Sequence, residues 1–180
     1  MTNKVLLHAC CAICAGYPIE FLREMRYEPV LYFFNPNIFP PDEFERRLAE
    51  LIRYAEKKNV ELIVDQQDAS NWYDFIAGLE NEPEKGKRCS RCFEYRLLFT
   101  AVKALKMEIP RFTTTLTISP HKNSKVIFEI AKEIAFKHEL EFLAIDFKKQ
   151  DGFLKTMQIA KEENFYRQNY CGCEFSMFQI

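Results

Sequence analysis

The chain has 180 residues, 48% apolar and 28% charged, with only five glycines. This composition excludes a disordered or low-complexity chain, and the length allows one domain with a substantial core. The formal net charge of −1 provides no overall field for a polyanion, and no run approaches the roughly 18 apolar residues of a membrane span.

The predicted elements alternate along the chain. Lys4–His8 is a short apolar run that reads as a buried strand, and Pro18–Met25 behind it has helical spacing. Pro29–Phe34 is a near-continuous apolar run, as expected of a strand buried on both faces of a parallel sheet. Pro41–Lys58 follows as a long charged helix, with Pro41 suited to a first turn. Val60–Val64 is the third strand, and Asn81–Lys87, polar with Pro83 and Gly86, reads as a loop. Cys89–Lys106 is helical, Phe112–Leu116 is the fourth strand, Ser124–Lys137 is helical, and Glu141–Ile145 is the fifth strand. Gly152–Ile180 reads as a helix followed by an irregular tail that folds back over the functional site. This order predicts an α/β fold over residues 1–180, a single domain with a doubly wound, mostly parallel five-stranded sheet. Ligands of such sheets sit beyond the carboxyl ends of the strands, where Cys10, Cys11 and Cys14 fall.

Seven cysteines are the strongest chemical signal. An odd number argues against a disulfide framework. The first apolar run ends in cysteines instead of a small-residue cleavage site, so the protein is expected in the cytoplasm. There, clustered thiols more often bind metal or carry redox chemistry. They fall into three groups: His8-Ala9-Cys10-Cys11-Ala12-Ile13-Cys14, Arg88-Cys89-Ser90-Arg91-Cys92 and Tyr170-Cys171-Gly172-Cys173.

Cys89 and Cys92 are three apart at a helix start, so both can face one way. The helix dipole, Arg88 and Arg91 are expected to favour their thiolates. Four thiolates satisfy a tetrahedral zinc site or a 4Fe–4S cluster, and counting does not separate the two. The cysteines beyond four suit redox partners or ligands to a second metal. Free cysteines are also commonly buried as small apolar residues, a description that fits Cys14 best. If Cys10 and Cys11 share one centre, the backbone there must leave the strand conformation, because strand neighbours point to opposite faces.

Cys171-Gly172-Cys173 follows a different logic. A disulfide needs Cα atoms roughly 4.4–6.8 Å apart. With one residue between the cysteines, only a bent, strained chain meets that condition, and a strained disulfide is readily reduced. The pair therefore suits a two-electron couple better than a structural bridge; two further metal ligands are the rival reading.

Together, these motifs resemble the QueH-type epoxyqueuosine reductases, which work without cobalamin. The resemblance covers nearly the whole chain, including Arg167-Gln168-Asn169-Tyr170-Cys171-Gly172-Cys173 and Thr114-Thr115-Leu116-Thr117-Ile118-Ser119-Pro120-His121-Lys122. Ile13 stands where the family usually has Pro, which changes loop stiffness and not a ligand. The resemblance implies a nucleotide-hydrolase-like, HUP-type sheet. It implies a 4Fe–4S cluster on Cys10, Cys11, Cys89 and Cys92, and a redox-active pair at Cys171 and Cys173. It also implies an additional iron beside the cluster, with Cys14 or a tail thiol as its candidate ligand. The implied reaction is the last step of queuosine synthesis in tRNA. The oxygen of the epoxide leaves as water, two electrons and two protons are consumed, and a cyclopentene remains. The implied partners are a tRNA carrying epoxyqueuosine in its anticodon loop and an electron donor; the chain is expected to be a monomer.

A cluster ordinarily passes one electron at a time and a dithiol supplies two, so the tail pair and the cluster are expected to share the electron supply. A Lewis-acidic iron would polarise the epoxide oxygen. His8, His121, His138, Asp146 and Asp151 are the candidate acids, His121 being best placed at a strand-to-helix edge. Between Glu84 and Lys106, seven basic residues face Glu84 and Glu94, a local charge of about +5 that suits either phosphate contact or a solvated helix face. Tyr166 and Tyr170 suit either stacking on a splayed base or the core. Two other functions compete. One is an ATP-dependent tRNA-thiolating enzyme of the same fold, against which the glycine-poor loop Ala9–Gly16 argues. The other is a zinc-stabilised RNA-binding module.

Overall fold

The computed structural model describes residues 2–66 and 68–177. Strands β1 (Lys4–His8), β2 (Glu28–Phe33), β3 (Leu62–Val64), β4 (Arg111–Thr114) and β5 (Glu141–Phe142) form one sheet in the order β3-β2-β1-β4-β5. Every pairing is parallel. The chain runs outward from β1 to β3, then crosses back to β4 and β5 on the other side. This is the doubly wound arrangement, with its switch point between β1 and β4.

Helices α1 (Ala12–Glu24), α2 (Pro41–Lys58), α3 (Ala69–Phe75), α4 (Lys87–Lys106), α5 (Ser124–Lys137), α6 (Gly152–Glu162) and the short α7 (Glu174–Met177) surround the sheet. Strand alternation sorts the core into two layers. Val5, Leu7, Leu31 and Phe33 pack with Ile19 of α1, Leu51 of α2 and Ala160 of α6. Leu6, Val30, Tyr32 and Phe112 pack on the other face with Leu97 of α4 and Ile127 of α5. Burial on both faces explains the uninterrupted apolar run of β2.

The departures from the sequence reading have local causes. α1 begins at Ala12 instead of Pro18, because Cys11 caps it: the Cys11 sulfur accepts from the Cys14 amide at 3.4 Å. Pro18 sits inside the helix, where its missing N–H leaves the Cys14 carbonyl without its usual helical donor. α3 went unanticipated; Asp68 caps it through the Ser70 amide, and Trp72 anchors it in the core. The fourth strand stops at Thr114, whose hydroxyl accepts from the Leu116 amide and turns the chain into a 3₁₀ helix over Thr115–Ile118. The fifth strand is two residues long, and the tail contains α7.

α6 crosses α1 closely at its first residue. A Cβ on Gly152 would lie 1.8 Å from the Phe147 carbonyl oxygen and 2.7 Å from Tyr17 Cε1. Replacing Gly152 by Ala is therefore expected to remove about 2–3 kcal/mol of stability, measurable as a lower urea midpoint with an unchanged slope.

Candidate metal centre

The backbone leaves the strand after His8 and bends at Cys10 and Cys11 before entering α1. That bend resolves the conflict expected of adjacent cysteines, and their sulfurs lie 3.9 Å apart. Cys14, within the first turn of α1, points to the same place, and all three Sγ atoms lie within 4.8 Å of one another. Cys14 is thus one of three converging thiols and not merely a small apolar core residue. The Cys11 and Cys14 thiols hold Cys10 well below the ordinary thiol range by donating to it, with further help from Arg96 and Lys122. Cys11 is pushed up to about 12 by the same contact with Cys10, and Cys14 is pushed up likewise. Such a set holds one thiolate and shares its remaining protons, which a metal ion would displace.

Cys89 and Cys92 occupy the first turns of α4, and burial pushes both up, Cys89 to about 11. Arg88 and Arg91 do not serve them as expected. Arg88 donates to the carbonyls of Glu80 and Glu82 and stacks on Phe175. Arg91 pairs with Glu94 and lies over the Phe75 ring. The cation beside Cys92 is Arg96, one turn further on, with Nη1 3.9 Å from the sulfur. Arg96 Nη2 donates to Asn35 Oδ1 at 3.0 Å, and Asn35 donates to the Ala9 carbonyl at 2.9 Å. A buried guanidinium thereby ties the α4 thiols to the segment that carries Cys10 and Cys11.

The tail reaches the same place. Gln168 Nε2 lies 3.3 Å from Cys11 Sγ, and the Phe39 amide donates to the Gly172 carbonyl at 2.8 Å. Cys171 and Cys173 are charge neighbours of both Cys89 and Cys92. Lys122 loses by burial but gains more from Cys171, Cys10 and Cys14, so its ammonium is held well above the ordinary range. All seven cysteines are free thiols; among the described residues Cys10, Cys11 and Cys14 lie within ligand distance of one another, while Cys171 acts electrostatically on Cys89, Cys92 and Lys122. A cleft of about 240 Å³ is lined by Lys85, Cys89, Phe93, His121, Lys122 and Cys171 among others. A larger groove of about 500 Å³ beside β3 holds none of these groups.

The sequence profile of the family described as Epoxyqueuosine reductase QueH matches residues 5–179. The chain belongs to that family. It is 38% identical over 176 residues to the epoxyqueuosine reductase QueH of Acinetobacter baylyi, covering 97% of this chain and 81% of the relative. The Haemophilus influenzae relative is 39% identical over 176 residues, with 97% and 72% covered. The Thermotoga maritima relative is 33% identical over 180 residues, with 98% and 92% covered. Among solved structures, a predicted subunit of tRNA methyltransferase from Methanocaldococcus jannaschii superposes with a TM-score of 0.60 at 12% identity, over 88% of this chain and 76% of that one. That likeness is one of fold alone.

The remaining candidates of this QueH family member separate clearly. His8 is wholly buried, its ring nitrogens 3.0 Å from Thr114 Oγ1 and 3.3 Å from the Phe34 carbonyl oxygen. Burial and then Arg96 lower it to about 3, so it is a neutral packing residue and not an acid. His121 is exposed on the cleft wall. His138 closes the far end of α5, about 20 Å along the helix from the cleft. Asp146 is committed to Lys148 at 2.9 Å, and Asp151 is exposed at the start of α6. Tyr166 donates to Glu43 at 3.0 Å and lies beneath Arg46; Tyr170 donates to the Phe39 carbonyl and lies beneath Arg47. Both tyrosines are half-buried and hold the tail against α2 and the segment before it.

The basic stretch around α4 is divided: Lys85, Lys87 and Lys106 are exposed, and the others are buried or paired. Arg88 and Arg96 are buried, Arg91 pairs with Glu94, and Lys103 pairs with Asp65 at 2.6 Å. Sequence reasoning passed over Arg47, Asn35 and Arg96 as site residues; the one available signal was Arg96 standing four residues after Cys92 on a predicted helix.

Arg96→Met removes both the cation beside Cys92 and the donor to Asn35. The expected loss is about 2–4 kcal/mol of stability. The Cys92 thiol then ionises at still higher pH, which is checked as slower alkylation of Cys92 than in wild type at fixed pH in the metal-free protein.

Proposed function

We propose that this chain is an epoxyqueuosine reductase that deoxygenates epoxyqueuosine in tRNA, with Cys10, Cys11, Cys89 and Cys92 as ligands of a 4Fe–4S cluster and Cys171/Cys173 as a redox dithiol. The observation that supports this reading is the trio Cys10, Cys11 and Cys14 at the carboxyl end of a parallel sheet, with Arg96 reaching from Cys92 to Asn35 beside it and Cys89 and Cys171 lining one cleft. The donor set suits the cluster: it is all sulfur, largely buried, and faced by Arg47, Arg96 and Lys122, whose charges balance anionic ligands. Cys14, the third member of the tight trio, is the thiol left for an adjacent iron.

The bound cluster would supply electrons singly. Cys171 and Cys173 supply two together as they close to a disulfide, and they release two protons. Those match the two electrons and two protons consumed when the epoxide oxygen leaves as water. Lys122, on the cleft wall beside Cys171, stabilises negative charge on an oxygen held there. Lys85 on the cleft wall, with Lys87 and Lys125 exposed next to lining residues, contacts the phosphates of an anticodon loop. The enzyme works in the cytoplasm, where its thiols stay reduced.

Anaerobic purification followed by iron and sulfide analysis tests the centre. About four irons and four sulfides per chain, with broad absorbance near about 400 nm, are expected. A colourless protein with zinc as its sole metal would sink the reading. Serine at Cys10, Cys11, Cys89 or Cys92 is expected to deplete the iron. Cys171→Ser and Cys173→Ser are expected to retain it while kcat falls to below about one hundredth of wild type.

A further inference from the structure

We propose that Arg47 is the positioning residue of the Cys171-Gly172-Cys173 turn: a buried guanidinium on α2 that sets where the two tail thiols stand relative to Cys10 and Cys11. The inference rests on reading Cys171/Cys173 as the redox couple.

Arg47 lies on a helix whose sequence reads as a charged surface element, yet only 2% of it is exposed. Burying a guanidinium costs several kcal/mol unless its donors and charge are matched. Its Nε donates to Glu43 Oε1 at 2.7 Å, one turn back on α2, in an ion pair buried on both sides. Its Nη1 donates to the Cys171 carbonyl at 3.2 Å, and the Tyr170 ring lies 5.6 Å beneath it. Nη2 is buried without a hydrogen-bond partner among the described residues, and the Cys11 and Cys10 sulfurs are charge neighbours of the guanidinium. Arg47 therefore holds the backbone of the tail pair while its charge acts on the first thiol group.

Gly172 makes the contact specific. Its φ of +127° is a conformation that L side chains rarely adopt, and a Cβ there would lie 2.9 Å from Arg47 Nη1 and 3.4 Å from Cζ. The guanidinium occupies the space a side chain would need, so the bend between the two cysteines and the position of Arg47 specify each other. The rest of the tail follows the same path. The Tyr166 hydroxyl donates to Glu43, and the Tyr166 amide donates to Glu50 at 2.7 Å. Arg47 touches the Cys171 backbone and not its sulfur, so its effect falls on where the dithiol stands and not on tRNA binding.

The test compares the double variant Arg47→Met/Glu43→Gln with Glu43→Gln alone. The second substitution avoids stranding a buried carboxylate, and the single variant keeps Arg47 against Cys171. Relative to it, the double variant is expected to keep its iron and visible spectrum and its KM for tRNA. Its kcat is expected to fall about 10–100-fold, the cost of an ångström-scale misplacement. Cys171 and Cys173 should alkylate about tenfold faster once the turn is released. Unchanged alkylation overturns the proposal. So does faster alkylation with unchanged kcat. The redox reading fails separately, if Cys171→Ser turns over normally; the alkylation rates still report whether Arg47 holds the turn. Should the double variant fail to fold, Arg47→Lys carries the test. One ammonium replaces the rigid fork that fixes Glu43 and the Cys171 carbonyl through separate nitrogens, so the same split between kcat and KM is expected to a smaller degree.

Discussion

Buried positive charge beside sulfur is the constraint on which this structure depends. Arg47 and Arg96 are almost wholly removed from solvent, and a guanidinium cannot shed its proton to escape the cost. Arg47 has Glu43. Arg96 has the neutral amide of Asn35, a histidine held neutral, and the sulfur of Cys92. Among the described residues the negative charge facing Arg96 is that of the Cys10 thiolate. Dependence runs both ways: the cations lower the cost of ionised cysteines, and ionised cysteines make the buried cations tolerable. The anionic centre of the proposed function would stabilise the surrounding fold as well.

Topology decides that the thiols meet at all. The crossover places β4 beside β1, so the segment after Thr114 returns next to Cys10, whose sulfur lies 3.8 Å from Thr115 Oγ1. α4, packed against α5, brings Cys89 and Cys92 to the same end of the sheet, and Asn123 starts α5 at the cleft wall. A nucleotide-binding version of this fold would use a glycine-rich loop after β1 to cradle phosphate. Here Cys10, Cys11 and Cys14 occupy that loop and the first turn of α1, so the place that elsewhere receives an anion is built to hold a cation.

Much of this was legible in the sequence because its signals were local. Short apolar runs marked the five strands, and helical spacing marked α1, α2, α4, α5 and the start of α6, with α2 and α5 placed to the residue. The cysteine spacings marked the site. What escaped depended on distant partners. The charge run on α4 looked like a surface because side chains such as Arg88 and Arg96 were counted by charge, whereas their backbone and side-chain acceptors come from Glu80, Glu82 and Asn35. Tyr166 and Tyr170 beside the tail cysteines looked available for a base because their acceptors, Glu43 and the Phe39 carbonyl, lie more than a hundred residues earlier. α1 was started late because Pro18 is ordinarily a helix breaker, and a cysteine cap is a weak signal in the sequence alone.

The two groups of cysteines also differ in how they are held, and that difference matches what the proposed function asks of each. Cys14, Cys89 and Cys92 sit within helices, and Cys10 and Cys11 lie between a buried strand and the helix that Cys11 caps. Ligands on such elements keep their geometry with or without a bound group. Cys171 lies on irregular backbone, and Cys173 lies just ahead of the short α7, with a glycine of positive φ between them. Their position relies on side chains reaching over from α2 and on the Phe39 amide. A pair that must open and close a bond needs backbone able to bend between the sulfurs, whereas a metal centre needs backbone that does not. In the proposed function the cysteines on regular elements meet the second requirement and the pair on the anchored tail meets the first.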